Sequence, residues 1–169
     1  GGTTIARANI DGTGVNLNFI NGLTSTTGVV KVSNDYIYWG SYAGKIGRAN
    51  INGTGVNQNF ITGTAAQPDG GPEGLALSPT HIYWTNQNLM GTTIGRANID
   101  GTSVDQSFVT GLAIYEAYGL TLDSERLYWA GFVSNVGSSL IDGTDVNTSF
   151  VTGGNGPLAD PPRPTPVAR

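Results

Sequence analysis

The sequence predicts an all-β protein: a β-propeller of four-stranded antiparallel blades, of which this chain holds about three and a half. A hairpin-like stretch recurs with small changes at 5–22, 45–63, 94–111 and 136–153. A second kind of segment, ending in Tyr-Trp, lies between these copies, and its tryptophans Trp39, Trp84 and Trp129 recur at intervals of 45 residues. Four strands in a repeat of this length are typical of a propeller blade.

Composition favours strands and turns over helices. Charged residues make up 12% of the chain and 26 residues are glycine, whereas helix surfaces are usually filled with Glu, Lys and Arg. The net charge is -4 and the eight basic residues are scattered, which excludes a cationic groove for nucleic acid. No apolar run approaches the roughly 18 residues that cross a bilayer, so we expect no membrane insertion. No cysteine is present for a disulfide or a thiolate metal site.

The strands of each blade can be assigned in order, and we label them A to D from the propeller axis outwards. The chain opens with a C–D hairpin, and three complete A–B–C–D blades follow. Strand A begins at a glycine, strand B ends in Tyr-Trp, strand C is the Ile-Gly-Arg-Ala-Asn-Ile run and strand D ends in a phenylalanine. The repeats are 1–22, 23–63, 64–111 and 112–153, which together form a partial propeller over 1–153.

The remaining segment, 154–169, is a proline-rich tail. Five of the eight prolines lie between Pro157 and Pro166. This composition predicts an extended, polyproline-like conformation that cannot pair in a sheet. Two interpretations of this tail are left: it leads to another domain or surface, or it is a disordered terminus without a role. Because the sequence begins at Gly1 with no signal peptide, we expect a processed or trimmed product.

Each C–D hairpin contains Asp-Gly or Asn-Gly, at 11–12, 52–53, 100–101 and 142–143. These pairs supply the positive φ angles of tight hairpin turns, so we expect strand, turn, strand at each of them. Calcium loops built from Asp11, Asp100, Asp142 and Asp145 are disfavoured, because their carboxylates lack the alternating spacing of a hard-cation loop. We therefore expect no metal ion and no cofactor.

The Tyr-Trp strand followed by Ile-Gly-Arg-Ala-Asn-Ile-Asp-Gly-Thr resembles the YWTD repeat, the class B repeat of the low-density lipoprotein receptor, in the form carried by secreted or surface proteins of bacteria. The resemblance extends from Ile5 to about Gly153. It implies a secreted or cell-surface propeller whose relatives mostly bind proteins or other ligands, alongside distant enzymatic propellers such as virginiamycin B lyase. Asn52 and Asn147 lie in Asn-X-Ser/Thr sequences, which matter only in a host that glycosylates them.

The chain departs from the family pattern at two places. The Thr-Asp that usually follows Tyr-Trp is replaced at 40–41, 85–86 and 130–131. The aspartate is therefore missing, with any blade-to-blade hydrogen bond that it makes, and Asn86 is the only partial substitute. The strand-C arginine is present as Arg7, Arg48 and Arg96 but becomes Ser138 in the last blade. We expect the last blade to have lost a bridging contact.

Catalysis has little support in the sequence. The single histidine, His81, is expected in the turn between strands A and B, without the second histidine or cysteine that a general base or metal site would need. The serines lie mainly in turns, which disfavours a Ser-His-Asp set. We expect a protein that is not an enzyme. The residues assigned to the scaffold are Trp39, Trp84 and Trp129, which fill the space between blades, with Phe19, Phe60, Phe108, Phe150, Arg7, Arg48 and Arg96.

Strands alternate in direction, so the D–A and B–C loops emerge on one face and the A–B and C–D turns on the other. The first face, which we name the D–A/B–C face, varies most between copies. Aromatic side chains interleaved with amides and carboxylates are typical of a surface that binds protein or glycan, although ordinary exposed loops are the alternative. The predicted ligand-binding residues are Tyr42, Asn86, Asn88, Met90 and Phe132 from the B–C loops and Asp69, Glu73, Tyr115, Glu116 and Tyr118 from the D–A loops.

A closed propeller normally has at least four blades, so three and a half leave open edges and exposed blade faces. Residues outside this chain or further copies of it must complete the ring, and we favour a homo-oligomer. The leading hypothesis is a non-catalytic binding module for a protein or carbohydrate ligand. The alternatives are an extracellular structural subunit that assembles through its incomplete blade into oligomers or fibres, and, third, a propeller-type lyase or hydrolase.

Overall fold

The computed structural model describes residues 3–25, 27–64, 71–88, 91–112, 118–131 and 135–152, apart from the side chains of 87, 88 and 91. Within these ranges the regular structure is entirely β. The strands are β1 (Ile5–Arg7), β2 (Asn16–Ile20), β3 (Thr27–Val32), β4 (Tyr36–Ser41), β5 (Lys45–Asn50), β6 (Asn57–Thr62), β7 (Leu75–Leu77), β8 (His81–Asn88), β9 (Gly91–Asn98), β10 (Asp105–Leu112), β11 (Gly119–Leu122), β12 (Arg126–Ala130), β13 (Val136–Leu140) and β14 (Asn147–Val151).

These strands form one two-stranded and three four-stranded antiparallel sheets, and the order of strands in each sheet follows the chain. We name them the half blade (β1 and β2), blade 2 (β3 to β6), blade 3 (β7 to β10) and blade 4 (β11 to β14). Strand β7 contacts both β3 and β11, so the first strand of each full blade lies innermost. The predicted all-β propeller, with a C–D half blade followed by three full blades, is confirmed.

A hydrophobic cluster fills the space between each pair of successive sheets. Between blades 2 and 3, Ile46 and Ile61 of blade 2 pack against Trp84 and Ala97 of blade 3. The other two clusters repeat this plan. Each blade therefore has a forward face, which packs on the next blade through aliphatic residues of strands C and D, and a backward face, which carries the tryptophan of strand B.

The strand-B tryptophan of each full blade lies against a strand-C glycine. Trp39, Trp84 and Trp129 are 2%, 0% and 2% exposed. Each is opposite a glycine in the sheet register, as Trp84 is opposite Gly95. A Cβ atom placed on Gly47, Gly95 or Gly137 would overlap the indole ring. Strand C therefore needs glycine here for its small volume.

Each C–D connection contains the tight turn that the sequence predicts, within a longer loop. Strand β5 ends at Asn50 and β6 begins at Asn57, so six residues connect them. Asn52 Oδ1 accepts hydrogen bonds from the Thr54 amide (3.1 Å) and hydroxyl (2.7 Å). Positive φ angles occur at Gly53 and Gly55. The predicted hairpin turn is confirmed: the Gly53 amide donates to the Asn50 carbonyl (2.8 Å) and the Asn50 amide to the Thr54 carbonyl (2.9 Å), and the other three connections repeat both bonds. Within the Asn-Gly pair only the glycine takes the left-handed conformation, because Asn52 folds back as an acceptor.

Candidate functional site

Asn86 does not lie on the surface of the predicted D–A/B–C face. It is 2% exposed. Its Oδ1 accepts a hydrogen bond from Trp84 Nε1 (3.0 Å), and its Nδ2 donates to the backbone oxygen of Gln106 (2.8 Å). The prediction is wrong because strand β8 continues to Asn88, paired with β9, whereas the sequence pattern ended the strand at Trp84. Asn86 therefore belongs to the scaffold of blade 3.

Three other residues of this face are described, and each lies near the beginning of an innermost strand. Tyr42 is 37% exposed and lies beside Gly28, where an added Cβ would be 3.4 Å from Tyr42 Cζ. Glu73 and Tyr118 are half-buried and precede β7 and β11. The other predicted ligand contacts lie outside the described residues: Asp69, Met90, Tyr115, Glu116, Phe132 and the side chain of Asn88.

Two grooves open on the opposite face, beside the A–B turns. Groove 2/3 lies between blades 2 and 3 and encloses about 420 Å³. Groove 3/4 lies between blades 3 and 4 and encloses about 470 Å³. In both, one wall carries the strand-B tyrosine and strand-C arginine of the preceding blade. The other wall carries the A–B turn and the C–D loop of the next blade, so the repeat builds the same arrangement twice.

The guanidinium of Arg48 lies between two aromatic rings in groove 2/3. Its Cζ is 4.4 Å from the centroid of Tyr36 and 4.1 Å from that of Phe60. Such stacking on both sides holds the guanidinium plane in place through cation–π attraction. Among the described residues no carboxylate lies within 4.0 Å of it. Among the described residues Arg48 is thus an oriented cation without an ion-pair contact, and its positive charge acts across the groove on Asp100, whose pKa it helps to lower.

Tyr38 and Asp100 face the same groove from opposite walls. The Tyr38 hydroxyl is buried and makes no hydrogen bond of good geometry within the described part of the chain. Burial raises the pKa of Tyr38, and the Arg48 guanidinium partly opposes this rise. The side-chain and backbone hydrogen bonds from Thr102 lower the pKa of Asp100, which is ionised at neutral pH. Groove 2/3 therefore carries donors and the Asp35 carboxylate on the wall of blade 2, and the ionised Asp100 on the wall of blade 3.

Groove 3/4 contains the histidine. His81 is the first residue of β8, whereas the sequence pattern placed it in the preceding turn. Its Nδ1 is 2.8 Å from Thr80 Oγ1, and its ring is tilted against Tyr83 with centroids 6.0 Å apart. Burial, followed by the nearby positive charge of Arg96, lowers the pKa of His81, so the ring is neutral at pH 7. Arg96 itself stacks on Phe108 at 3.9 Å.

Blade 4 makes the arginine contact from a different strand. Arg126 of β12 places its Cζ 5.8 Å from the centroid of Phe150. Its Nη2 donates to Ser138 Oγ (3.1 Å), and its Nη1 pairs with Asp145 Oδ2 (2.9 Å). The expectation that this blade lost a bridging contact is wrong, because the short Ser138 leaves room for a guanidinium from the neighbouring strand. Unlike Arg48, this arginine has a carboxylate partner.

Two glutamines that the sequence pattern did not single out connect neighbouring blades. Gln58 accepts a hydrogen bond from the Thr24 amide (2.8 Å) and donates to the Gly22 carbonyl (3.1 Å). Gln106 donates to the Thr62 carbonyl (3.3 Å). These bonds join blades in a chain that lacks the YWTD aspartate. The signal that could have identified them is a glutamine at the same strand-D position in blades 2 and 3.

The forward face of blade 4 is uncovered in the described structure. Val151 is 51% exposed, whereas the corresponding Val109 and Ile61 are 1% and 2% exposed. Phe150 is 47% exposed. Beside them, Tyr128 and other residues of the sheet line an apolar recess of about 390 Å³. This face has the composition of a blade interface, and no described strand packs on it.

Neither a metal cluster nor a membrane span is found in the described ranges. No three His, Cys, Asp or Glu side chains there are grouped so that they could hold a metal ion. No helix in that part of the chain has the length and apolar character that crossing a bilayer requires.

Solved structures that are similar to this chain include a chain of a nidogen/laminin complex and a designed protein. One chain from the crystal structure of a nidogen/laminin complex matches with a TM-score of 0.59 and 27% identity, over 76% of this chain and 49% of that chain. The crystal structure of the computationally designed Ika4 protein matches with a TM-score of 0.50 and 12% identity, over 68% and 66% of the two chains. No family model matches the sequence, and no curated protein matches it.

The two similarities carry different weight. At 12% identity the Ika4 protein is alike in fold alone. The chain of the nidogen/laminin complex, at 27% identity, supports a β-propeller of the YWTD type. This protein spans about half the length of that chain, 49%.

Proposed function

We propose that this chain is a non-catalytic, protein-binding module of a secreted or cell-surface propeller of the bacterial YWTD type, and that groove 2/3 receives a segment of the ligand. The observation that carries the proposal is the Arg48 guanidinium, fixed between two rings with no carboxylate within 4.0 Å among the described residues. An oriented guanidinium presents paired N–H donors whose geometry matches a carboxylate.

The walls of groove 2/3 define the chemistry of its ligand. Arg48 lies on one wall, beside the buried hydroxyl of Tyr38. Asp35 and the ionised Asp100 line the groove as acceptors. A peptide segment complements both, because a Glu or Asp side chain accepts from Arg48 while main-chain N–H groups donate to the carboxylates. The similar chain in the nidogen/laminin complex supports a role in protein binding.

The experiment is a binding screen against immobilised ten-residue peptides that carry Glu or, as the matched set, Gln. We expect the Glu peptides to bind. Arg48→Lys is expected to weaken this binding by about tenfold, which is about 1.4 kcal/mol, because lysine keeps the positive charge but lacks the paired N–H donors of a guanidinium. Arg7→Lys is the matched control, since Arg7 occupies the same strand-C position in the half blade and stacks on Phe19 at 5.0 Å.

Tyr42→Ala distinguishes the two faces in the same screen. If Tyr42→Ala abolishes binding and Arg48→Lys leaves it unchanged, the ligand occupies the D–A/B–C face and the assignment to groove 2/3 is wrong. If neither the Glu nor the Gln peptides bind, the peptide-binding function is wrong.

Self-assembly is a second candidate, favoured by one observation. The forward face of blade 4 exposes Val151 and Phe150, although the same positions are covered in every other blade interface. Covering this face with a second copy would remove the apolar surface from water. This assembly is compatible with peptide binding in groove 2/3, because the two surfaces involve different residues.

A further inference from the structure

The half blade ends in an unpaired strand edge. In blade 2, strand β5 lies between β4 and β6, and the other full blades repeat this order. In the half blade, β1 pairs with β2, and no strand of the described residues occupies its other edge. The backbone of Ile5–Arg7 therefore presents free hydrogen-bonding groups where a strand B would pair.

Ala6 occupies the position at which the full blades have a glycine. Gly47, Gly95 and Gly137 lie at this position in strand C, two residues before the alanine of the repeat or its serine equivalent. Each of these glycines accommodates the indole of strand B, and a Cβ atom on any of them would overlap that ring. Ala6 carries such a Cβ atom. The half blade thus lacks the space that a strand-B tryptophan needs.

Leu17 makes the neighbouring strand-D position of the half blade apolar as well. In blade 3, Gln106 Oε1 accepts a hydrogen bond from Trp84 Nε1 (3.2 Å). The corresponding strand-D residue of the half blade is Leu17, which is 67% exposed. Leucine cannot accept a hydrogen bond, so the half blade lacks the acceptor that blade 3 provides, although no such bond from Trp39 or Trp129 is found among the described residues. Both substitutions replace a tryptophan-compatible residue with an aliphatic one.

From these two positions we infer that the hairpin completing the half blade carries an aliphatic residue in place of the strand-B tryptophan. Its outer strand adds antiparallel to the β1 edge, as in β-strand addition. A valine or isoleucine at the tryptophan position covers Ala6 and Leu17, which are apolar and exposed. Such a side chain needs neither the space of a glycine nor a hydrogen-bond acceptor.

Copies of the chain can associate in fewer ways as a result. All three A–B hairpins of the chain carry the tryptophan, at Trp39, Trp84 and Trp129. None of them, from the same copy or another, fits the half blade in the geometry of the full blades. Association between copies therefore uses blade faces and leaves the β1 edge to a different hairpin.

The test places an A–B hairpin ahead of the half blade in the full chain, in the order that the full blades have. A second copy of residues 27–42 is joined to the N-terminus through a short Gly-Ser linker, so that an A–B hairpin precedes strand C. The added hairpin either keeps its tryptophan or carries the substitution Trp39→Val. Each of these two hairpins is combined with a half blade that has Ala6 or the substitution Ala6→Gly. Chains without an added hairpin, with Ala6 or Ala6→Gly, are the controls. Hydrogen exchange of the Ile5–Arg7 amides measures strand addition.

With Ala6 in place, we expect the Trp39→Val hairpin to slow exchange of these amides by at least about tenfold and the tryptophan hairpin to leave it unchanged. Ala6→Gly is expected to let the tryptophan hairpin protect them as well. Equal protection by the tryptophan hairpin with Ala6 present would overturn the inference. So would the absence of protection by either hairpin in either background, because the edge would then accept no hairpin at all. Exchange in β4 of blade 2 serves as the internal control.

Discussion

In each full blade the strand-B tryptophan fills the space that a side chain on the strand-C glycine would occupy. Gly47, Gly95 and Gly137 are not among the glycines with positive φ, so backbone conformation does not require glycine at these positions. The volume does, because a methyl group added to any of them would overlap the indole. This is why strand C contains a residue of low strand propensity at the centre of a buried face.

Gly95→Ala is expected to destabilise the protein by about 1–3 kcal/mol, because the added methyl group overpacks the Trp84 site. Gly119→Ala is the matched control: Gly119 is also a strand residue without a positive φ, and no atom lies within 4 Å of its added Cβ. The midpoint of urea unfolding measures both. Equal midpoints for the two variants would contradict the volume argument.

The tryptophans could be placed from the sequence because a residue repeated at a fixed interval reports the scaffold. Asn86 and Arg126 could not. The burial of Asn86 depends on how far β8 extends beyond Trp84, and no residue pattern fixes that end. The role of Arg126 depends on the space left by Ser138, on another strand.

Blade 4 differs from blade 2 at three positions that act together. Blade 2 has Tyr36, Arg48 and Gly55, whereas blade 4 has Arg126, Ser138 and Asp145. The arginine has moved from strand C to strand B, and Asp145, with φ of 52°, has replaced a glycine in the left-handed region. The contact with a strand-D phenylalanine survives in both arrangements.

Arg126→Tyr is expected to cost about 1 kcal/mol, because it removes a cation–π contact and a partly exposed ion pair. The triple variant Arg126→Tyr, Ser138→Arg and Asp145→Gly recreates the blade 2 arrangement, and we expect its free energy of unfolding to return to within about 0.5 kcal/mol of the wild type. Chemical denaturation compares the three proteins. A triple variant less stable than the single one would show that the two arrangements are not interchangeable.

The number and order of strands could be read from the sequence since period and alternation survive in every copy. The tight C–D turns could be read as well, but the length of the loops around them could not, because Asp-Gly does not fix where strand D begins. The hydrogen bonds from Thr13, Thr54, Thr102 and Thr144 stabilise these turns. The glutamine links between blades were missed because their acceptors are main-chain carbonyls, so the repeated glutamine at strand D indicates the donor and not its partner.

As a whole, the molecule is a row of blades with two unlike ends. At one end the apolar forward face of the blade 4 sheet is exposed. The other offers the open edge of β1. The number of blades could be predicted from the repeat. The contact that each end can make could not, because it depends on how exposed individual side chains are.

We expect the purified chain to have a mass above that of a monomer at micromolar concentration, because association covers Val151 and Phe150. Val151→Asp is expected to shift the mass to that of a monomer, since a carboxylate is costly to bury in an apolar contact. Val56→Asp is the matched control, because Val56 is 41% exposed and lies in a C–D loop of blade 2. Multi-angle light scattering gives the masses. A wild-type monomer at this concentration would refute self-association.

The tryptophans described above give this protein a built-in optical probe. Trp39 lies between the half blade and blade 2, Trp84 between blades 2 and 3, and Trp129 between blades 3 and 4. Each interface thus contains one indole, and the chain has three tryptophans in all. Replacing two of them with phenylalanine leaves a fluorophore that reports the wetting of a single interface. The order in which the blades separate can therefore be followed from emission spectra without adding a label.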